Sequence, residues 1–183
     1  MRIITGSARG RKLKTLEGLD VRPTTDKVKE AIYSAIQFDV EGATVLDLFS
    51  GSGQMGIEAI SRGANLVFFV DKSKASIDCT RENIQSVGFS KQAKIFNMDS
   101  LDFIKTTSQK FDIVILDPPY SKDLLSPILH ILKDKLNNGA KVVCEHEKYL
   151  QLPQSIGDLK LKKKYSYGKT EVTLYTYGLE EIL

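Results

Sequence analysis

Four carboxylates stand where runs of apolar residues stop: Asp47 after "TVL", Asp71 after "LVFFV", Asp99 after "KIFNM" and Asp117 after "FDIVIL". The last opens the stretch "DPPY", Asp117 to Tyr120. Neither proline can donate to a sheet ladder and each holds φ at about −65°, so the turn between acid and ring is rigid. The Asp117 carboxylate and the Pro118 carbonyl then make two acceptors side by side. They match the two hydrogens of an exocyclic amine, and Tyr120 can stack on the base that carries it. Such an amine is a poor nucleophile because its lone pair is delocalised into the ring. Holding both hydrogens draws the nitrogen towards tetrahedral geometry and aims the lone pair at an electrophile. The gain is one of positioning and electrostatics rather than strong base catalysis.

The other three acids suggest what the electrophile is. Asp47 precedes "LFSGSGQMG", in which Gly51, Gly53 and Gly56 have the spacing GxGxxG. Glycines let a backbone turn tightly against a ligand, and the following helix offers free N–H groups. Alone, that pattern suits a nicotinamide cofactor equally well. A fixed negative charge at Asp47 would repel a pyrophosphate, however, and suits a ligand bearing positive charge. S-adenosylmethionine has an ammonium, a sulfonium and no phosphate. Asp71 can accept from both ribose hydroxyls. Asp99 can accept from an adenine amine while the Ser100 N–H donates to the ring. Any one of these acids could instead be a helix cap. Three after consecutive strands, beside a glycine loop, favour a cofactor.

Elements must present these residues together. Strand-like runs at "TVLDLF", "LVFFVD", "AKIFNM", "FDIVILD" and "AKVVCEH" alternate with helical stretches near 54–62, 74–87, 100–106 and 122–136. That alternation predicts βαβ units and an α/β doubly wound, mostly parallel sheet, whose ligands lie beyond the carboxyl ends of the strands. Pro127 leaves the start of the last helix open. An earlier helix starts from about Thr24, capped by Thr24 or Thr25, with Val28, Ala31, Ile32, Ala35 and Ile36 on one face. "LKLKKKYSYG" and "KTEVTLYTYG" read as a terminal antiparallel hairpin, and "RIIT" and "RKLKT" around "GSARG" as a short basic one, within about residues 1–20. At 183 residues, 42% hydrophobic and 27% charged, the chain reads as one globular domain. No signal peptide or membrane span is expected, and Cys79 and Cys144 suggest neither zinc nor a disulfide, which points to the cytoplasm. No metal site is expected, and His130 and His146 are read as non-catalytic.

At these residues the sequence resembles class I S-adenosylmethionine-dependent methyltransferases with an (N/D)PP(Y/F/W) motif, and more narrowly the RsmD family of 16S ribosomal RNA guanine-N2 methyltransferases. The resemblance rests on "RIITGSARGRKL", "LDVRPTTDKVKEAIY", "VLDLFSGSGQMGIEAISRGA", "DPPY" and "YGKTEVTLY". It implies a Rossmann-like seven-stranded fold with a small N-terminal hairpin. It places the methionine end of the cofactor near Arg22, Pro23, Thr24, Asp47 and Gly51, with Phe49 and Gly53 in the same loop. The ribose goes to Asp71, the adenine to Asp99 and Ser100, and the target amine to Asp117 and Pro118. The loop between Gln54 and Gly56 carries little weight.

Charge points the same way. Residues 1–30 hold eight Lys or Arg against four acids, and 160–183 hold five against three, whereas 31–159 are net acidic, thirteen against sixteen. Basic ends on an acidic middle fit a polyanion. Arg9, Arg11, Lys12 and Lys14 are candidates for phosphates flanking a flipped base, while Lys162 to Lys164 can equally be edge-strand lysines that resist aggregation. A carboxylate accepting from N1–H and N2–H modestly favours guanine. The reading is of a monomer acting on 16S RNA, within a partly assembled small subunit. The alternatives are adenine N6 in DNA, a protein glutamine, or an RNA-binding relative without activity.

Overall fold

The computed structural model describes residues 1–16, 25–119 and 124–178. Five strands, β1 (Thr44–Asp47), β2 (Leu66–Asp71), β3 (Ala93–Asn97), β4 (Phe111–Leu116) and β5 (Leu136–Glu147), run parallel, and β6 (Ser155–Ile156), β7 (Leu159–Tyr167) and β8 (Thr170–Tyr177) extend the sheet antiparallel in the order β3-β2-β1-β4-β5-β8-β7-β6. The predicted doubly wound class holds, with eight strands rather than seven. The extra one is the two-residue β6, which folds back on Leu159 and Lys160 at the sheet edge. The terminal hairpin forms, but its second strand, β8, is interior: it pairs with both β5 and β7.

Strand side chains alternate between two cores, as a period of two requires. Val45, Val67, Phe69, Ile113 and Ile115 face α1 (Asp26–Ala35), α2 (Gln54–Ser61) and α3 (Lys74–Val87). Leu46, Phe68, Val70, Val114 and Leu116 face α4 (Ser100–Thr106) and α5 (Leu125–Leu132). On the second face Phe68 meets the edge of Phe111 at 5.3 Å and stacks on Phe96 at 5.9 Å, an offset geometry that aromatic quadrupoles favour. Pro127 sits in the first turn of α5, where its missing N–H costs nothing.

One expectation needs correcting. Thr25 caps α1 by accepting from the Val28 N–H, but the buried face is Val28, Lys29, Ile32, Tyr33 and Ile36, with Ala35 exposed. The face turns towards Lys29 because a buried acid waits for it. Glu58 of α2 lies 3.4 Å from the Lys29 ammonium and 2.8 Å from Arg62 Nε, and the Glu58 and Lys29 side chains are inaccessible to solvent. His146 lies within β5. It is buried with Nε2 2.8 Å from Thr173 Oγ1, and burial holds its pKa below the usual imidazole value.

The basic N-terminal segment pairs with itself through one bridge, Arg2 with Lys12, and through bonds such as Ile3 N–H to the Arg11 carbonyl at 3.0 Å. Its amides then satisfy Glu58, Ile4 N–H at 2.8 Å and Thr5 N–H at 3.0 Å. The turn approaches the last residue of α2 so closely that a Cβ on Gly6, at φ +88°, would lie 1.7 Å from the Ser61 carbonyl oxygen. Among the described residues, no helix is long and apolar enough to cross a membrane, and no cluster of His, Cys, Asp or Glu could hold a metal.

Candidate cofactor and amine-binding cleft

Sheet order reverses between β2 and β4, on either side of β1, and a cavity of about 560 Å³ opens there beyond the carboxyl ends of the strands. Asp47, Phe49, Gly51, Asp71, Asp99, Ser100, Asp117 and Pro118 all line it. Gly53 does not; it caps α2 from the left-handed region, at φ +79°. Arg22, Thr24 and Tyr120 lie outside the described residues.

Local bonding explains the glycine pattern. Gly51 takes φ +53° and donates its N–H to Asp71 Oδ2 at 2.9 Å. Gly56 carries more weight than its expectation allowed. It lies in the first turn of α2, and a Cβ there would sit 2.3 Å from Phe69 Cε1, so only glycine lets the helix close on β2. Its N–H donates to Asp47 Oδ2 at 2.9 Å.

The acids differ in environment. Asp47 is buried, and burial pushes its carboxyl up to about 7, against the Gly56 amide and helped by the charge on Asp71. Each Asp71 oxygen accepts one amide, Gly51 at 2.9 Å and Ser73 at 2.8 Å, which leaves lone pairs for two hydroxyls. Asp99 caps α4 by accepting from the Leu101 N–H at 2.9 Å, so its capping and ligand-facing roles coincide. Asp117 is half-buried and Pro118 buried. Ser50 Oγ and Gln54 Oε1 are buried without a hydrogen-bond partner among the described residues, and both residues line the cavity. Buried polar atoms ordinarily find partners, so orphans at a cleft mark a place for a polar ligand. A group with an ammonium, ribose hydroxyls and an adenine fits this donor and acceptor set.

Residues without a sequence signal complete the cleft. Thr80 Oγ1 donates to the Gly51 carbonyl at 2.9 Å. Asn83, 1% exposed, donates to the Ser52 carbonyl at 2.9 Å and accepts from the Lys14 N–H at 2.7 Å, tying the glycine loop to the N-terminal segment. Met1, Thr15 and Leu16 join the lining. The basic residues of that segment sit elsewhere. The Arg11 guanidinium donates to the Ser86 carbonyl, near the end of α3, and Lys14 pairs with Glu82 at 2.5 Å, which raises its pKa. Arg9 and Lys12 are exposed. The turn lies at the C-terminal ends of α2 and α3, whose N-termini face the cleft.

Sheet order, glycine loop and a row of strand-end acids define a class I methyltransferase. The solved structure of the Escherichia coli protein yhhF superposes with a TM-score of 0.89 at 28% identity, covering 98% of this chain and 99% of that one. The family described as Conserved hypothetical protein 95 matches residues 1–176, and the chain belongs to it, the RsmD family. YlbH of Bacillus subtilis (strain 168) is 37% identical over 96% of this chain and 98% of its own length. "Ribosomal RNA small subunit methyltransferase D" of Haemophilus influenzae (strain ATCC 51907 / DSM 11121 / KW20 / Rd) is 37% identical over 81% and 79%.

Proposed function

We propose that this protein transfers a methyl group from S-adenosylmethionine to the N2 amine of a guanine in 16S ribosomal RNA. The observation that carries the reading is that Asp117 and Pro118 line the same cavity as Asp47, Asp71 and Asp99. Family membership and the name of the Haemophilus influenzae relative support the substrate class. When bound, S-adenosylmethionine supplies a sulfonium methyl.

The chain's own residues do the rest. Asp47 meets the ammonium, and a cation there restores the ionised carboxylate that burial disfavours. Asp71 accepts from the ribose hydroxyls, and Asp99 and Ser100 read the adenine edge. Phe49 and the loop from Gly51 to Gly53 shape the floor, with Arg22 and Thr24 assigned to the methionine end. Asp117 and the Pro118 carbonyl hold the amine hydrogens, and Tyr120 stacks on the base. The target guanine must be unpaired or flipped to reach them. Arg9, Arg11, Lys12 and Lys14 are assigned to phosphates along the flank. The protein acts as a single-domain monomer in the cytoplasm, on a partly assembled small subunit.

Tritium transfer from labelled cofactor onto 16S RNA, duplex DNA and protein tests the substrate; label entering only DNA would reject it. Asp117→Ala should keep cofactor affinity and lose turnover by about 10²-fold or more. Near-normal turnover would end the clamp mechanism.

A further inference from the structure

Two aromatic rings stand almost wholly in solvent, Phe38 at 93% and Tyr149 at 87% exposed, at opposite ends of the sheet. Phe38 follows α1 at the amino end of β1, beside Asp39 and Glu41. Tyr149 follows β5 at the carboxyl end, between Lys148 and Leu150. Leu116, the residue before Asp117, pairs with Cys144 in parallel register, so β4 and β5 reach the same end of the sheet. Tyr149 thus follows the strand next to the one that leads into Asp117, at the same end of the sheet.

The backbone that carries the ring is fixed by two bonds. The Leu150 N–H donates to the Glu147 carbonyl at 3.0 Å, closing a tight turn with Tyr149 near its tip. The Lys148 N–H donates to the Lys169 carbonyl at 3.0 Å, fastening that turn to the one joining β7 and β8. Lys148 and Lys169 are both exposed. Residues 148–169 hold six lysines and one acid, Asp158, with Lys164 paired to Glu171 at 3.3 Å and exposed Glu147 bordering the turn.

We infer that Tyr149, with Lys148 and Lys169, binds the single-stranded RNA flanking the modified base. This rests on the function proposed above. An aromatic plate stacks on any base, and lysines beside it neutralise neighbouring phosphates. Charge of that sign beside an exposed aromatic ring suits a polyanion with stackable bases, which favours RNA over a protein partner. The basic turn of the N-terminal segment, by contrast, lies at the far ends of α2 and α3, so the first contacts beside the target base fall to the β5 side of the rim.

The test uses full-length protein with 16S RNA transcribed in vitro, both naked and within partly assembled small subunits. Tyr149→Ala should weaken RNA binding about tenfold, the usual worth of one stacked base. Lys148→Ala with Lys169→Ala should reduce the slope of log K against log salt by about 1.4, two single-strand phosphates. Affinity for S-adenosylhomocysteine should be unchanged in both, and Phe38→Ala should bind RNA like wild type. If the wild type methylates RNA while the Tyr149 and Lys variants bind it unchanged, the surface is wrong and the function stands. If the variants lose affinity only for subunits carrying ribosomal proteins, the occupant is protein and the inference fails. Wild-type protein that transfers no methyl either to that RNA or to the partly assembled subunits overturns both.

Discussion

Helix α2 touches two buried carboxylates, and they are treated in opposite ways. Asp47, at its first turn, receives one helix amide, faces a cavity, and is driven up to about 7 by burial. Glu58, two residues beyond Gly56, is enclosed by Lys29, Arg62 and the amides of Ile4 and Thr5. A buried charge is tolerated when its lone pairs and its sign are answered from within the fold. Glu58 is answered, and the result is a lock that fixes the N-terminal segment. Among the described residues Asp47 has no cation beside it, a place that a cationic ligand can fill. Burial alone does not distinguish a site from a structural ion pair; the completeness of the partners does.

The lock should break hardest. Glu58→Ala leaves Lys29 buried without its acid and two amides without acceptors, and should cost about 3–5 kcal/mol in urea unfolding. A loss under about 1 kcal/mol would show that the cluster is incidental. Burial already lowers the Lys29 pKa despite Glu58, so a lysine deprived of that acid should lose its proton more readily still.

Asp47→Asn should act with the opposite sign on stability. The folded carboxyl titrates above its unfolded value of 3.8, so between about pH 4 and 7 the folded state holds more protons. The group's contribution therefore falls as pH rises through that window and stays low above it. Removing the charge should stabilise the cofactor-free protein at pH 8 by up to about 4 kcal/mol, the bound set by a shift of about three units. Affinity for S-adenosylhomocysteine should fall at the same time. Stability and cofactor affinity falling together would mean that Asp47 belongs with Glu58 after all.

Smaller changes sharpen the contrast. Gly56→Ala forces a methyl into Phe69 and should cost about 1–3 kcal/mol, with cofactor affinity falling because Asp47 loses its amide. Thr80→Val removes one bond to the Gly51 carbonyl and should cost about 1 kcal/mol, read as a thermal shift of about 2–4 °C.

Much of the cleft was legible because it follows from local rules. The span 74–87 for α3 matches its period and caps, with Ser73 accepting at the start and Gly88 left-handed at the end. An acid at the end of a buried strand must sit on the carboxyl rim, whatever else the fold does. Lys29 was not legible: on a helical wheel it looks like a solvated lysine, and only a distant Glu58 makes its face the buried one. Asn83 and Thr80 gave no signal either, since their partners are backbone atoms of loops remote in the chain. The site of the basic turn was equally hidden. Its charges were plain, but their distance from the rim depends on how the segment docks on α2.

By itself, then, the order of residues determined the alternating elements, the glycine turns and the four rim acids, because periodicity and strand direction act over a few residues. The tertiary structure alone decided which buried acid would be neutralised and which left open. That choice depends on charges and amides brought together across long chain separations, and short-range pattern carries no record of it.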